Sequence, residues 1–357
     1  MDVLILNNSF DCILIVDDYT SFIWTERFNR YGDFEIYSKV TPELLNTIKI
    51  GYYVYLRDSE KLMIVEEIKI ESDVEEGSVI IISGRSLESL LERRIVWSQT
   101  ILSGNINTGI KKLLTENIIT PTLSERAIPN FIYQDTTDPN ILGMSLEMQT
   151  TGDNLYEIIT TLCDTFGIGF KIELNAQNQF VFSLYSGVNR SLNQEEVIPV
   201  IFSPDFENIL NSTSDYDIKE YRNVALVAGE DEVVGGGRRC ITIGNSSGME
   251  RRELFVDARD IQSEDEEGNP IPDEEYYAQL TERGNEYLKE NTLINNFEGG
   301  TESSYYTYGV DFKMGDIVHI EDSFGQMTQA RIVELIRSKD TSGIKIYPSF
   351  VTYNEEE

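Results

Sequence analysis

Apolar and polar residues alternate through most of the first 83 positions, the period of half-buried strands rather than helices. Strands are predicted at 3–6, 10–16, 22–27 and 34–37, with turn signals at Asn7-Asn8, Asp17-Asp18 and Gly32-Asp33 between them. Thr41 as N-cap, Pro42 in the first helical position and Glu43 in the first turn predict a short helix. Three more strands complete a set of about six, the spacing of a small barrel or sandwich. From Ser86 the period changes. Ser86 is placed as N-cap of a helix through Arg94, with Leu87, Leu90 and Leu91 on one face.

Residues 95–190 mix the two periods. The clearest helix spans 153–166, with Leu155, Ile158, Ile159, Leu162, Cys163 and Phe166 forming its stripe and Gly167 placed to end it. Strands at 170–174 and 180–185 flank a polar turn through Asn175, Gln177 and Asn178. Two more, at 224–229 and 240–243, are joined through Gly235-Gly236-Gly237. A helix is predicted over 273–291, with Tyr277, Leu280, Gly284 and Leu288 on one side.

One pattern occurs twice. Residues 49–59, KIGYYVYLRDS, match 313–323, KMGDIVHIEDS. After a turn, Ile64-Val65-Glu66 answers Ile332-Val333-Glu334, and a closing strand follows Gly77 or Gly343. A period this long indicates duplicated β units rather than a solenoid. Two similar units per chain would let a ring of three subunits present a sixfold surface, which is what a hexameric tube needs to dock on.

Composition narrows the partners. With 40% hydrophobic and 10% aromatic residues over 357 positions, the chain can bury two or three cores, so wholesale disorder is excluded. Lys and Arg number 29 against 62 Asp and Glu, a net charge of −33, so most of the surface repels nucleic-acid phosphates. No apolar run approaches a membrane span, and no signal peptide is read at the start. Cys12, Cys163 and Cys240 form no CxxC and imply neither a disulfide framework nor a zinc site. Cys163 is read as a small core residue.

Catalytic chemistry finds little support. The single histidine, His319, lies in a predicted strand where the first copy has Tyr55, so a structural use is expected. No H-E-x-x-H, P-loop or G-x-G-x-x-G occurs. Residues 260–275 hold eight acids and no base, read as a solvated loop; the run 264–268 lacks the alternating spacing of a calcium loop. Gly235-Gly236-Gly237-Arg238-Arg239 precedes no helix and is read as a hairpin tip rather than a phosphate cradle. No catalytic residue, metal or cofactor is expected.

Several stretches, in collinear order over nearly the whole chain, resemble the tail-tip (baseplate) hub proteins of long-tailed bacteriophages. They are Ile23-Trp24-Thr25-Glu26-Arg27 leading to Tyr31-Gly32-Asp33-Phe34-Glu35; Ser83-Gly84-Arg85-Ser86-Leu87 with Leu91-Glu92-Arg93-Arg94; Asn189-Arg190-Ser191 with Gln194, then 200–203 and Phe206-Glu207-Asn208; and Tyr221-Arg222-Asn223-Val224-Ala225 through Glu230, then Arg251-Arg252-Glu253. The family often has Asp where this chain has Asn189. None of these is a catalytic signature.

The resemblance implies an α+β, mainly β fold: two related small β-barrels (tail-tube-like) plus peripheral α/β insertions. The expected division is a first barrel over 1–95, a peripheral α/β domain over 96–196, and linking strands over 197–256. A peripheral acidic loop and helix then occupy 257–303, and 304–357 completes the second barrel. Trp24, Arg27, Gly32, Asp33, Arg85, Arg190, Ser191, Asn208, Asn223, Arg251 and Arg252 are the family-motif residues, expected to serve structure or assembly. The implied protein is a homotrimeric hub in the virion tail tip, made in the host cytoplasm. It joins the hexameric tail tube to threefold tip components and forms the channel for DNA ejection. Its partners are further copies of itself, the distal tail protein, the tape measure protein and receptor-binding or tip-fibre proteins. The chain is read as the hub-only form, without a fibre or enzymatic extension. Two other readings stay open: a cell-wall or carbohydrate-binding tail module using Tyr305, Tyr306 and Tyr308, and a glycan hydrolase built on paired carboxylates.

Overall fold

The computed structural model describes residues 2–73, 77–231, 237–264, 268–292, 294–301, 305–322, 324–341 and 343–353. In chain order the first copy runs β1 (Val3–Leu6), β2 (Cys12–Val16), β3 (Ser21–Arg27), β4 (Asp33–Lys39), helix α1 (Pro42–Thr47), β5 (Tyr53–Leu56), β6 (Leu62–Asp73) and β7 (Gly77–Ser86). A first excursion holds β8 (Thr100–Asn105), α2 (Ile106–Leu114), β9 (Phe131–Gln134), α3 (Pro139–Leu142), β10 (Ser145–Thr150) and α4 (Leu155–Phe166). Next come β11 (Gly169–Leu174), β12 (Phe180–Tyr185), β13 (Ile201–Phe202) and β14 (Ile209–Asp217). A second excursion holds β15 (Val224–Asp231), β16 (Arg238–Ile243), β17 (Glu253–Asp257) and α5 (Asp273–Glu290). The chain closes with β18 (Ile294–Thr301), β19 (Ile317–Glu321), β20 (Met327–Asp340) and β21 (Gly343–Thr352). The fold is α+β and mainly β, as expected. It divides into two compact units: Met1–Leu90 with Gly169–Ser214 and Asn296–Glu357, and Leu91–Ile168 with Asp215–Asn295. The expected peripheral segment 96–196 therefore contributes residues to both.

The first unit holds a thirteen-stranded sheet in the order β14-β18-β21-β20-β3-β4-β7-β6-β5-β1-β2, with β19 on β20 and β13 on β19. Among the described residues no sheet closes on itself. The order contains the repeat in full. β3-β4-β7-β6-β5 in the first copy corresponds to β14-β18-β21-β20-β19 in the second, and both copies take these strands in the same chain order.

Hydrogen bonds fix the correspondence residue by residue. Gly51, at φ +83°, donates to Val65 O, and Val65 donates back to Tyr52 O. Gly315, at φ +87°, donates to Ile332 O, and Ile332 donates back to Asp316 O. Both glycines hold a left-handed turn that a side chain would strain. Both long strands then carry a bulge, between Val65 and Glu67 and between Ile332 and Glu334. Structural equivalence thus pairs Val65 with Ile332, one residue away from the sequence match of Ile64 with Ile332. Tyr55 and His319 remain equivalent, facing Leu62 and Gln329 across their hairpins. The match also reaches β4 and β18, where Phe34 faces Gly84 and Phe297 faces Phe350.

Each copy wraps its own core. Val3, Ile5, Phe22, Trp24, Phe34, Ile36, Val54, Leu56, Met63, Val65, Ile80 and Ile82 are buried together in the first. Phe28, Phe202, Phe312, Val318, Ile320, Ile332, Leu335 and Phe350 form the second. Each such side chain contributes about 1.5–3 kcal/mol on burial, enough for two independent cores.

In the second unit β15 pairs antiparallel with β16 and parallel with β17. α5 lies on this sheet through Tyr276, Leu280 and Gly284. The predicted face named Tyr277, which is exposed; the buried ring is Tyr276. Burial is set by the Tyr276 hydroxyl, which accepts from Glu230 N at 2.9 Å and donates to Ile261 O at 3.3 Å. Gly284 lets the helix approach, since a Cβ there would meet Ile243 Cδ1 at 2.2 Å. α4 begins at Asn154, whose side chain accepts from Tyr156 N, and ends at Gly167 with φ 62°. Cys163 is buried. The helix predicted from Ser86 is a 3-10 helix, Leu87–Arg93. Ser86 Oγ accepts from Gly32 N at 2.8 Å instead of capping it. Gly235 and Gly236 of the hairpin tip and 265–267 of the acidic run lie outside the described residues, as do Ser323 of the repeat and the tail 354–357.

Candidate functional site

Where β20 runs beside β3, the second copy of the repeat is joined to the first, with Glu334 opposite Arg27 and Arg337 opposite Trp24. The first two sequence motifs meet at this junction. Arg27 Nε donates to Glu334 at 2.6 Å, and Nη1 donates to Asp33 at 2.5 Å and to Tyr31 O at 3.0 Å. Burial alone lowers the affinity of the Arg27 guanidinium for its proton, but Asp33 and Glu334 outweigh it and hold the group above its ordinary value. Two strands along, on β7, Arg85 makes a two-pronged bond to Glu66 at 2.6 and 3.1 Å and lies 4.7 Å from the centre of the Tyr31 ring. Gly32 belongs here for steric reasons: a Cβ would sit 2.1 Å from Thr25 O. Trp24, Arg27, Gly32, Asp33 and Arg85 are therefore brought together.

On the inward side of the same junction, Glu26 is 5% and Arg337 is 4% exposed, and the two form an ion pair. Glu26 also accepts from Trp24 Nε1 at 3.1 Å and from Ser59 Oγ at 2.7 Å. Arg337 lies 5.2 Å from the centre of the Tyr308 ring. A second internal pair, Lys61 with Glu88, is anchored by Ile172 N, which donates to Glu88 at 3.0 Å. A polar cleft of about 440 Å³ opens over Glu26, Ser59, Lys61, Tyr308 and Arg337.

Arg190, Ser191 and Asn208 gather elsewhere in this unit, around the parallel pair β13–β19. Arg190 donates to Asp316 at 2.7 Å, and the buried Asp316 also accepts from Val188 N and Lys313 N. Asn208 is fully buried, accepting from Ser203 N and donating to Ile201 O, both at 2.8 Å. Asn189 accepts from Ser191 N at 2.9 Å, a turn that needs only a carbonyl or carboxylate oxygen, so Asn serves there as Asp would. His319 Nδ1 accepts from Leu192 N at 2.9 Å, which requires the neutral ring; burial lowers its pKa. Asn223, Arg251 and Arg252 belong to the second unit. There Asn223 bridges Glu250 O and Arg252 N, Arg251 pairs with Glu253, and Arg252 donates to Ile218 O.

Sequence reasoning named the arginines and, within the same motifs, the partners Asp33 and Glu253, but assigned none of these pairings. Glu66, Glu334 and Asp316 stood in the repeat and Glu26 in a motif, which were the available signals; Arg337 had none. Of the aromatic candidates, Tyr306 and Tyr308 pack against the second core, while Tyr305 is exposed and stacks on Phe206. The charged groups at the junction are engaged with one another across strands, an arrangement that holds copies of a β unit together. Among the described residues no group of three or more His, Cys, Asp or Glu is placed to hold a metal ion, and no helix is long and apolar enough to cross a membrane.

Three solved structures share this fold over nearly the full length of both chains. The 43 kDa tail protein of prophage MuSo2 from Shewanella oneidensis is 14% identical, covers 98% of this chain and 98% of its own, and has a TM-score of 0.59. For the tail protein of Neisseria meningitidis MC58 the values are 12%, 99%, 96% and 0.61. For the prophage tail protein gp18 of Listeria monocytogenes EGD-e they are 14%, 100%, 96% and 0.58. At these identities the likeness is one of fold. No curated protein matches the sequence. A family profile matches residues 2–350. The chain has the fold of phage tail proteins and belongs to the Siphovirus ReqiPepy6 Gp37-like protein family.

Proposed function

We propose that the protein is the homotrimeric hub of a phage tail tip, in which each copy of the repeat acts as a tail-tube-like barrel. Three chains place six equivalent units around one pore, matching a hexameric tube on one side and threefold tip components on the other. The observation that carries this reading is the recurrence of β3-β4-β7-β6-β5 as β14-β18-β21-β20-β19, in the same chain order and with the same bulge. Two equivalent units per chain have no evident use in a monomer but convert threefold symmetry to pseudo-sixfold. The partners are the distal tail protein, the tape measure protein and receptor-binding or tip-fibre proteins.

DNA passes this hub without being held. The net charge of −33 repels phosphates overall. On the outward side of the junction sheet, Arg27, Lys69 and Arg85 are already paired with Asp33 and Glu334, with Glu71 and with Glu66. Electron micrographs of the purified protein, alone and mixed with the tube-end partner, test the reading. A threefold ring with a central hole is expected; a monomer under both conditions refutes it.

A further inference from the structure

The equivalence of the two copies leaves one strand pairing unmatched. At the junction inside the chain, Glu334–Lys339 of β20 pair with β3, so β20 is flanked along its distal half as well as its proximal half. The equivalent stretch of β6, Glu67–Ser72, is bound by β7 on one side; β5 pairs only with Leu62, Met63 and Ile64 on the other. Among the described residues no strand continues β5 along that edge. Exposure reports the difference. Leu335 and Arg337 of β20 are 0% and 4% exposed, whereas Ile70, the equivalent of Arg337, is 52% exposed. At one end of the sheet, β14 is the equivalent of β3, and among the described residues it pairs only with β18. A bare six-residue edge carrying an exposed isoleucine is an open template for another strand.

We infer that the outer edge of β14 in one subunit pairs antiparallel with Glu67–Ser72 of β6 in the next, repeating between chains the β3–β20 junction found within one. The occupant is a second copy of this chain, because the partner of β20 is β3 and the second copy's version of β3 is β14. The two edges belong to different strands, the terminal β14 and the uncovered stretch of β6 inside the same sheet, so the contact is head-to-tail, and with a threefold rotation it closes as a ring. The inference rests on the trimeric reading and adds to it the strands that make the ring.

Double-cysteine variants test it. In a Cys12→Ser/Cys240→Ser background, which removes the exposed thiols, Lys69→Cys or Ile70→Cys is combined with Thr213→Cys or Asp215→Cys. The choice of Lys69 or Ile70 covers either facing of β14. Opposed residues on paired strands lie within disulfide reach. At least one of the four variants is expected to give, on mild oxidation, a ladder of denaturant-resistant dimer and trimer that stops at trimer. The outward amides of Glu67–Ser72 are expected to exchange hydrogen as slowly as those of Glu334–Lys339. If native mass gives a trimer but all four variants stay uncrosslinked and those amides exchange at least about tenfold faster than their β20 equivalents, the pairing is wrong and the trimeric reading survives. If native mass gives no trimer, alone or with the tube-end partner, the reading itself fails and the pairing falls with it.

Discussion

Replacing Arg337 with methionine asks how much the internal ion pair contributes to the junction between the two copies. In the native chain the Glu26 carboxylate is held by Arg337, Trp24 Nε1 and Ser59 Oγ, all out of solvent. The substitution keeps most of the side-chain volume and leaves a buried carboxylate with two neutral donors. Losing one partner of such a pair costs about 3–5 kcal/mol, mostly from the stranded charge. At roughly 2–4 °C per kcal/mol for a unit of this size, the midpoint falls by about 6–20 °C. Glu26→Gln in the same chain removes the stranded charge and is expected to restore all but about 1–2 kcal/mol. The assay is already in the structure. Trp24 is fully buried beside Glu26 while Trp97 is 58% exposed, so in a Trp97→Phe background the fluorescence of Trp24 reports this unit alone. A loss under about 1 kcal/mol at pH 8, or a double variant no more stable than the single, refutes the argument that a buried charge locks the junction.

Glu286 on α5 sets a second test. Burial raises its pKa to about 7; Arg283 opposes this, at 3.6 Å and with both terminal nitrogens on Asp260, while Glu282, Glu290 and Asp153 add to it. The folded state therefore binds a proton the unfolded chain releases above about pH 4.5, and that contribution to stability, about 3 kcal/mol, is lost as pH rises toward 7. Glu286→Gln should leave stability unchanged at pH 4 and raise it by about that amount at pH 8 in urea titrations. Gly32→Ala drives a Cβ into Thr25 O and should cost more than about 3 kcal/mol, whereas Gly51→Ala, with open space but φ +83°, should cost about 1–2, both read by thermal melts. Asp316→Asn removes the charge that holds Arg190 and should cost about 2–3 kcal/mol. Its signature is faster amide exchange at Val188 and Arg190, with the first copy's core unaffected.

The motif arginines were legible because they are rare cations in an acidic chain. Apart from Asp33, their partners were not singled out, because 62 acids give little reason to choose among them. The repeat was visible in Gly51 and Gly315 and in the tripeptides after them, yet its register came out one residue off, since the hairpin turn before the tripeptide is longer in the second copy and only the strand pairing fixes where the match resumes. The first two strands of the second copy went unseen because Asp215–Asn295 of the other unit interrupts them. What remained was Asp33-Phe34-Glu35 against Asn296-Phe297-Glu298, too short to notice without the sheet. On α5 the spacing was right and the ring wrong: Tyr276 and Tyr277 are equivalent to periodicity, and a hydroxyl partner on another strand decides between them.

The bond from Arg27 to Glu334 spans 307 positions of the chain. At bacterial elongation rates of about 5–20 residues per second, roughly 15–60 s separate the emergence of those two residues from the ribosome. Throughout that interval β3 is synthesised but its flank is bare, and any neighbouring polysome offers it the wrong strand. Contact order this high also slows the final closure. Expression at low temperature or with a chaperone that shields nascent β structure should therefore raise the soluble yield more than any surface substitution.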